Sequence, residues 1–282
     1  MSRSIPTTVT STDQVTVQLH DLGGSGPLLL LSHATGFCGQ VWAPMAETLA
    51  EQYHCVAFDH RSHGRSSRPV GRSLEWSGMA EDIVAVVEAL SPDEPVAAVG
   101  HSMGGTTLAI AEVARPGTVA KAWTFEPILF GGESLGTRSE PSEISQGARR
   151  RRATFADRDE VIARYGSRPP LDVLDPRALR AYAEHGFRDL PDGTVTLCCR
   201  PEDEAAVFEH HNSGARTTIG DVTIPFLIAA SGDERLPAQA VRAAAAEFPH
   251  LDLAIYEDLT HFGPLEAPER MARDCLAWLA AN

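Results

Sequence analysis

Short apolar runs alternate with amphipathic stretches along most of this chain. The apolar runs 27–33 and 54–59 flank a segment, 41–52, whose apolar residues fall at helical spacing. The order continues with helical patterns at 78–90 and 103–114 and with apolar strands at 95–100 and 119–125. Repetition of strand, helix and strand predicts a mostly parallel, doubly wound α/β sheet.

The alternation is interrupted once, between residues 134 and 218, where only short helical patterns at 158–165 and 176–185 remain. A long irregular stretch is uncommon inside a compact α/β chain, so this segment is predicted to be an inserted helical cap. The core then consists of residues 1–133 and 219–282. Near the start, segments 7–12 and 15–21 alternate apolar and polar residues, which predicts an antiparallel edge of the sheet.

The charge of the chain limits its partners. Its 282 residues carry a formal net charge of -14, which has the wrong sign for a surface that must neutralise phosphates. We therefore expect a small-molecule substrate and neither nucleic acid nor a membrane as partner, with homo-oligomerisation left open. No apolar run reaches the roughly 18–20 residues that span a bilayer, and the first residues lack the apolar segment of a secretory signal, so we expect a cytoplasmic protein.

The five cysteines are scattered and lack the paired spacing of a zinc site or a secreted disulfide framework. They are Cys38, Cys55, Cys198, Cys199 and Cys275. We expect reduced thiols, no metal and no cofactor, because no cluster of ligand residues indicates one.

The motif Gly-His-Ser-Met-Gly at residues 100–104 closes an apolar strand and opens a helix. A serine on so sharp a turn needs neighbours without a Cβ atom, and the turn exposes its hydroxyl above the sheet. Ser102 is therefore the candidate nucleophile. A second match to the pattern contains Ser134, but no helical pattern follows it, so it lacks the structural context.

A serine hydroxyl is a weak nucleophile unless a base accepts its proton. His261 follows the last predicted strand, where a loop at the carboxyl edge of the sheet can reach Ser102. His101, beside the serine, is expected to support the turn instead. His261 is therefore the candidate general base.

Four segments resemble those of the α/β-hydrolase family, and they occur in that family's order. They are residues 33–37, which resemble its oxyanion loop, 58–66, which resemble its D-x-R-G-x-G-x-S segment, 100–105 and 260–268. The resemblance implies that the backbone N–H groups of Met103 and Thr35 hold the oxyanion. Ala34 and Ser62 replace glycines that are usual in the family.

The resemblance leaves two candidates for the carboxylate that orients His261, since family members carry it after either of two strands. Glu126 ends the strand 119–125 directly before a proline, and Asp233 follows the strand 225–230. A charge that adjoins an apolar strand is costly unless it has a partner, which slightly favours Glu126.

The predicted cap carries four consecutive arginines, at residues 149–152. They form either a solvated helix face that pairs with nearby acids or a site for a substrate carboxylate or phosphate.

These features predict a serine hydrolase that cleaves an ester, thioester, lactone or amide of a small molecule through an acyl-enzyme on Ser102. A carbon–carbon bond hydrolase, or a scaffold that binds or cyclises a ligand without hydrolysis, would carry the same motifs.

Overall fold

A computed structural model describes residues 5–71, 74–128, 141–210, 219–233, 237–248 and 250–282. Within these residues the main sheet is formed by β1 (Thr8–Thr10), β2 (Thr16–Asp21), β3 (Leu28–Ser32), β4 (His54–Phe58), β5 (Val96–His101), β6 (Val119–Phe125), β10 (Phe226–Ser231) and β11 (Asp252–Tyr256). Its eight strands have the order β1-β2-β4-β3-β5-β6-β10-β11. Strand β2 runs antiparallel to β1 and β4, and the remaining pairs are parallel. The predicted doubly wound sheet with an antiparallel edge is thus confirmed.

The continuous apolar run of β3 is explained by burial on both faces of the sheet. Leu29 and Leu31 belong to the apolar core on one face, and Leu28 and Leu30 to the core on the other. All four are buried, because helices cover the sheet on each side.

The helices of the core occupy most of the predicted positions. They are α1 (Ala43–Leu49), α2 (Trp76–Leu90), α3 (Met103–Ala114) and, towards the end of the chain, Ala238–Glu247, Gly263–Glu266 and Pro268–Ala281. A short 3-10 helix, Gly39–Trp42, replaces the first residues of the helix predicted at 41–52. Helices α2 and α3 pack on the face of the sheet that contains Leu28 and Leu30.

The cap contains helices, as predicted, and also a small sheet that was not predicted. Its helices are α4 (Glu143–Arg149), α5 (Arg158–Tyr165), α6 (Pro176–His185) and α7 (Pro201–Glu209). Its antiparallel sheet, with the order β7-β9-β8, is formed by β7 (Thr154–Phe155), β8 (Phe187–Asp189) and β9 (Val195–Leu197). Strands of two or three residues are too short to show a recognisable alternation of apolar and polar residues in the sequence. The predicted cap boundaries, Ser134 and Thr218, lie outside the described residues.

The described helices include none that is long and apolar enough to cross a membrane. Within the same residues, no group of three or more His, Cys, Asp or Glu side chains is arranged to hold a metal. All five cysteines are free thiols, and only Cys198 is not fully buried.

Candidate active site

Ser102 lies on the sharp turn between β5 and α3. Its φ of 54° and ψ of -122° are far from the regions that residues with a side chain prefer, and its N–H donates to the Phe125 carbonyl at 2.9 Å. The glycines of the motif are required by close packing. A Cβ atom at Gly100 would lie 2.5 Å from the Cα of Gly105, and one at Gly104 would lie 2.3 Å from the Ser32 carbonyl oxygen. The strained turn therefore depends on both glycines.

His261 lies in the loop that follows β11, and its ring contacts Glu126. Nδ1 of His261 lies 2.6 Å from Oε2 of Glu126. An ionised carboxylate only accepts hydrogen bonds, so Nδ1 carries the proton and Nε2 remains free to accept one. This is the tautomer that a general base requires.

The loop that carries His261 is held by two neighbours. His101 Nε2 donates to the His261 carbonyl at 2.7 Å, since a carbonyl oxygen only accepts. The hydroxyl of Thr260 donates to Oε2 of Glu266 at 2.7 Å. His101 thus supports the His261 loop through a contact for which the sequence contained no signal. Its expected support of the serine turn stays a prediction.

Glu126 is completely buried just after β6, in a backbone conformation with a positive φ of 41°. Its Oε1 accepts from the backbone N–H of Ser231 at 2.8 Å, and its own N–H donates to the Ala229 carbonyl at 2.8 Å. Burial alone would raise the pKa of the Glu126 carboxyl. The hydrogen bond from His261, the electrostatic attraction to its ring and the hydrogen bond from Ser231 outweigh burial, so the pKa lies below its ordinary value. Glu126 is therefore held ionised beside His261.

Asp233, the second acid candidate, lies half-buried beyond the end of β10. Its N–H faces Oγ of Ser231 at 3.3 Å, and its carbonyl accepts from Arg242 at 2.8 Å. The Nδ1 position of His261 is already occupied by Glu126. The structure therefore brings Glu126, and not Asp233, to the atom of His261 that a triad acid must contact.

The two residues proposed to supply the oxyanion donors contact each other through their side chains. The Thr35 hydroxyl contacts the sulfur of Met103 at 3.3 Å. Met103 is the first residue of α3, and the first N–H groups of a helix have no partner within it. Thr35 lies in a tight turn in which the Ala34 carbonyl accepts from Phe37 N at 3.2 Å and from His33 Nδ1 at 2.8 Å. In a trans peptide the N–H points opposite to the carbonyl, so the Thr35 N–H faces away from these two donors.

The aromatic residues near the predicted site have different environments. The Phe262 ring lies 5.5 Å from the His261 ring and 6.1 Å from the Phe37 ring, so both phenylalanines form an apolar wall beside the histidine. Trp42 has no exposed surface and belongs to the core. Ser134 lies outside the described residues.

The segment 58–66 folds around the carboxylate of Asp59. Its two oxygens accept from the backbone N–H groups of Gly39 at 2.7 Å and Arg65 at 2.8 Å. Ser62 has a φ of 66° and Gly64 a φ of 49°, both in the left-handed region that favours glycine. The substitution of a serine for the usual glycine at position 62 therefore retains the loop conformation at an energetic cost.

Three of the four consecutive arginines pair with glutamates of the cap. Arg149 pairs with Glu209, Arg151 with Glu204 and Arg152 with Glu160. Arg149 and Arg152 are exposed, as expected for a solvated surface, whereas Arg151 is largely buried. The buried position of Arg151 was not evident from the sequence.

This sheet, with a serine on the turn after β5 and a histidine and carboxylate at the same edge, is the architecture of an α/β hydrolase. A family model described as "Alpha/beta hydrolase family" matches residues 28–274, and the chain belongs to this family.

The similar proteins are hydrolases. The chain is 26% identical over 253 residues to 2-(acetamidomethylene)succinate hydrolase of Mesorhizobium japonicum. The alignment covers 87% of this chain and 85% of the relative. A crystal structure of E-2-(acetamidomethylene)succinate hydrolase superposes with a TM-score of 0.80 at 23% identity, covering 96% of this chain and 98% of the other. An esterase of Rhodococcus sp. ECU1013 superposes with a TM-score of 0.74 at 23% identity, with 97% and 98% covered.

Proposed function

We propose that this protein is a serine hydrolase that cleaves an ester, thioester, lactone or amide bond of a small molecule through an acyl-enzyme on Ser102. The observation that carries the proposal is the 2.6 Å hydrogen bond between His261 Nδ1 and Glu126, at the edge of the sheet where Ser102 occupies its strained turn. A buried carboxylate on Nδ1 fixes the ring in the tautomer that leaves Nε2 as the base.

In the first half of the reaction, Ser102 Oγ attacks the substrate carbonyl while His261 Nε2 accepts the hydroxyl proton. The carbonyl oxygen becomes an oxyanion, which the N–H groups of Thr35 and Met103 stabilise. Each such donor is worth about 3 kcal/mol in the transition state, because it is directed at charge that develops only there. His261 then donates its proton to the leaving group, and the acyl-enzyme forms.

In the second half, His261 accepts a proton from water, and the resulting hydroxide attacks the acyl-enzyme. The second tetrahedral intermediate collapses, Ser102 recovers its proton from His261, and the acid product leaves. Glu126 remains ionised throughout and stabilises the imidazolium that forms in each half.

The pairing of three of the cap arginines argues against their use in binding a substrate carboxylate. The curated relative is named for 2-(acetamidomethylene)succinate, a substrate whose name includes a dicarboxylate. In this chain Arg149, Arg151 and Arg152 already pair with glutamates. We therefore place no substrate carboxylate on these three arginines and expect neutral esters to be cleaved at least as well as anionic ones.

The test is labelling with a fluorophosphonate, which forms a bond between Ser102 Oγ and phosphorus and releases fluoride. Intact mass should show one adduct on the wild-type protein and none on Ser102→Ala. Ser32→Ala, another buried serine, is the matched control and should still be labelled. Absence of an adduct on folded wild-type protein, or an adduct that persists in Ser102→Ala, would overturn the proposal.

A further inference from the structure

Residues of the cap are hydrogen-bonded to the turn that carries the proposed oxyanion donor Thr35. The Tyr182 hydroxyl, on α6, donates to the Gly36 carbonyl at 2.9 Å. The same hydroxyl accepts from Arg151 Nη2. Tyr182 is 1% exposed, so its polar contacts are shielded from water.

A second cap side chain lies against the same glycine. Glu204, on α7, accepts from Arg151 Nη1 at 3.0 Å and 2.9 Å through its two oxygens. Gly36 has a φ of 81°, and a Cβ atom built on it would lie 2.6 Å from Oε1 of Glu204. The carboxylate therefore contacts the backbone of the turn, and only glycine fits between them.

Helix α7 is in turn fixed to the core. Arg68 pairs with Asp203, the residue before Glu204, at 2.6 Å. Trp76 of α2 donates through Nε1 to the Val207 carbonyl at 3.0 Å. These contacts hold Glu204 at a defined position relative to the sheet.

The guanidinium of Arg151 is occupied by protein acceptors. Nη1 binds Glu204, Nη2 binds Tyr182, and Nε donates to the Tyr165 hydroxyl at 3.2 Å. All three nitrogens are engaged, so the geometry favours an internal role for Arg151 over recognition of a substrate anion.

The turn is therefore held at two of its carbonyls. The Ala34 carbonyl accepts from His33 and Phe37, and the Gly36 carbonyl accepts from Tyr182. Thr35 lies between the two fixed peptide groups. Rotation of the Ala34–Thr35 peptide, which carries the Thr35 N–H, would break the hydrogen bonds at the Ala34 carbonyl. One of their donors, Phe37 N–H, belongs to the same peptide group as the Gly36 carbonyl that Tyr182 binds.

We propose that Tyr182, with Arg151 and Glu204 behind it, is a positioning residue that directs the Thr35 N–H towards the developing oxyanion. The inference rests on the proposed function, since it assumes a reaction that passes through an oxyanion. It assigns the cap a part in catalysis in addition to any role in substrate choice.

The experiment compares Tyr182→Phe with Tyr165→Phe. Each removes one hydroxyl that contacts Arg151, but only Tyr182 contacts Gly36. Tyr182→Phe should lower kcat on a neutral aryl ester about tenfold with KM within twofold, a part of what loss of a whole donor costs. It should also weaken a trifluoromethyl ketone, which binds as a tetrahedral oxyanion, by about tenfold. Tyr165→Phe should change both quantities less than twofold.

The outcomes separate the two proposals. If wild-type protein is not labelled by the fluorophosphonate, the proposed function fails. If wild type is labelled but Tyr182→Phe and Tyr165→Phe have equal kcat and equal ketone affinity, the positioning role is wrong. An equal loss of ketone affinity and of substrate affinity also contradicts it, because a general structural defect would weaken both.

Glu204→Gln provides a second variant if Tyr182→Phe does not fold. This substitution retains the size of the side chain but removes the negative charge that strengthens its hydrogen bonds with Arg151. The same selective loss in kcat and in ketone affinity is expected. Unchanged values in the folded variant would overturn the inference.

Discussion

Glu126 Oε2 lies 2.6 Å from His261 Nδ1, although the two residues are 135 positions apart in the sequence. The contact joins the end of β6 to the loop after β11, and β10 lies between these strands in the sheet. The N–H of Ser231, the last residue of β10, donates to Oε1 of Glu126 at 2.8 Å. The pair therefore forms only when the core segments before and after the cap assemble into one sheet.

The two acid candidates should differ sharply when each is replaced by its amide. Glu126→Gln should lower kcat by about 10³- to 10⁴-fold, because an amide can stabilise the wrong tautomer of His261 and cannot balance its positive charge. Asp233→Asn should lower kcat less than about threefold, since Glu126 already occupies Nδ1. The measurement is kcat on a neutral ester, with the rate of fluorophosphonate labelling as a second readout.

Asp233→Asn is also the matched control for the loss of a negative charge at this edge. Equal mild losses in both variants would contradict either assignment. A loss confined to Asp233→Asn would transfer the role of triad acid to that residue.

Replacing Ser62 with glycine should stabilise the protein. Ser62 has a φ of 66°, and its buried hydroxyl finds no hydrogen-bond partner among the described residues. Relief of this strain outweighs the added flexibility of glycine in the unfolded chain, so we expect about 1 kcal/mol of additional free energy of unfolding. Urea denaturation at neutral pH measures the difference.

Gly64→Ala tests whether a side chain added at a left-handed position destabilises the same loop. A Cβ atom at Gly64 would lie 2.2 Å from the carboxylate of Asp59, and its φ is 49°. This variant should lose about 2 kcal/mol or more, through the clash and the left-handed backbone. A stabilised Gly64→Ala, or a destabilised Ser62→Gly, would show that this account of the loop is wrong.

The elements next to the candidate nucleophile could be predicted almost to the residue. Helix Met103–Ala114 and strand Val119–Phe125 have the predicted bounds. Their apolar residues are packed between neighbouring elements, so the local pattern directly reflects burial. Ser102 and His261 could be named as candidates because the motif around Ser102 and the loop after the last strand are visible in neighbouring residues of the sequence; their catalytic roles stay predictions.

The choice of acid could not be made in the same way. Glu126 directly follows a strand and Asp233 lies two residues beyond one, and the sequence around them favours Glu126 only slightly. The distinction depends on the positive φ of Glu126 and on an N–H from Ser231, a residue 105 positions away. The contact between Tyr182 and Gly36 spans 146 positions and was invisible for the same reason.

Buried histidines should make the protein sensitive to mild acid. Burial lowers the pKa of His33 to about 3 and lowers those of His60 and His101 well below their ordinary value. Unfolded histidines bind a proton near pH 6.5, so below that pH the unfolded state binds more protons and stability falls. Each histidine that stays neutral contributes a slope that approaches about 1.4 kcal/mol per pH unit well below pH 6.5 and averages about 1 between pH 7 and pH 5, so three of them contribute about 3 over that range.

Urea denaturation between pH 7 and pH 5 measures this slope, above the range where carboxylates such as Glu126 begin to contribute. A carboxyl with a lowered pKa loses its stabilising contribution only as the pH falls below the value of the unfolded chain, about 4. His60→Gln should reduce the slope over this range by about 1 kcal/mol per pH unit, since it removes one such group. His250→Gln, at an exposed position, is the control for the removal of an imidazole from the surface. A wild-type slope below about 1 kcal/mol per pH unit would mean that these histidines are protonated in the folded protein.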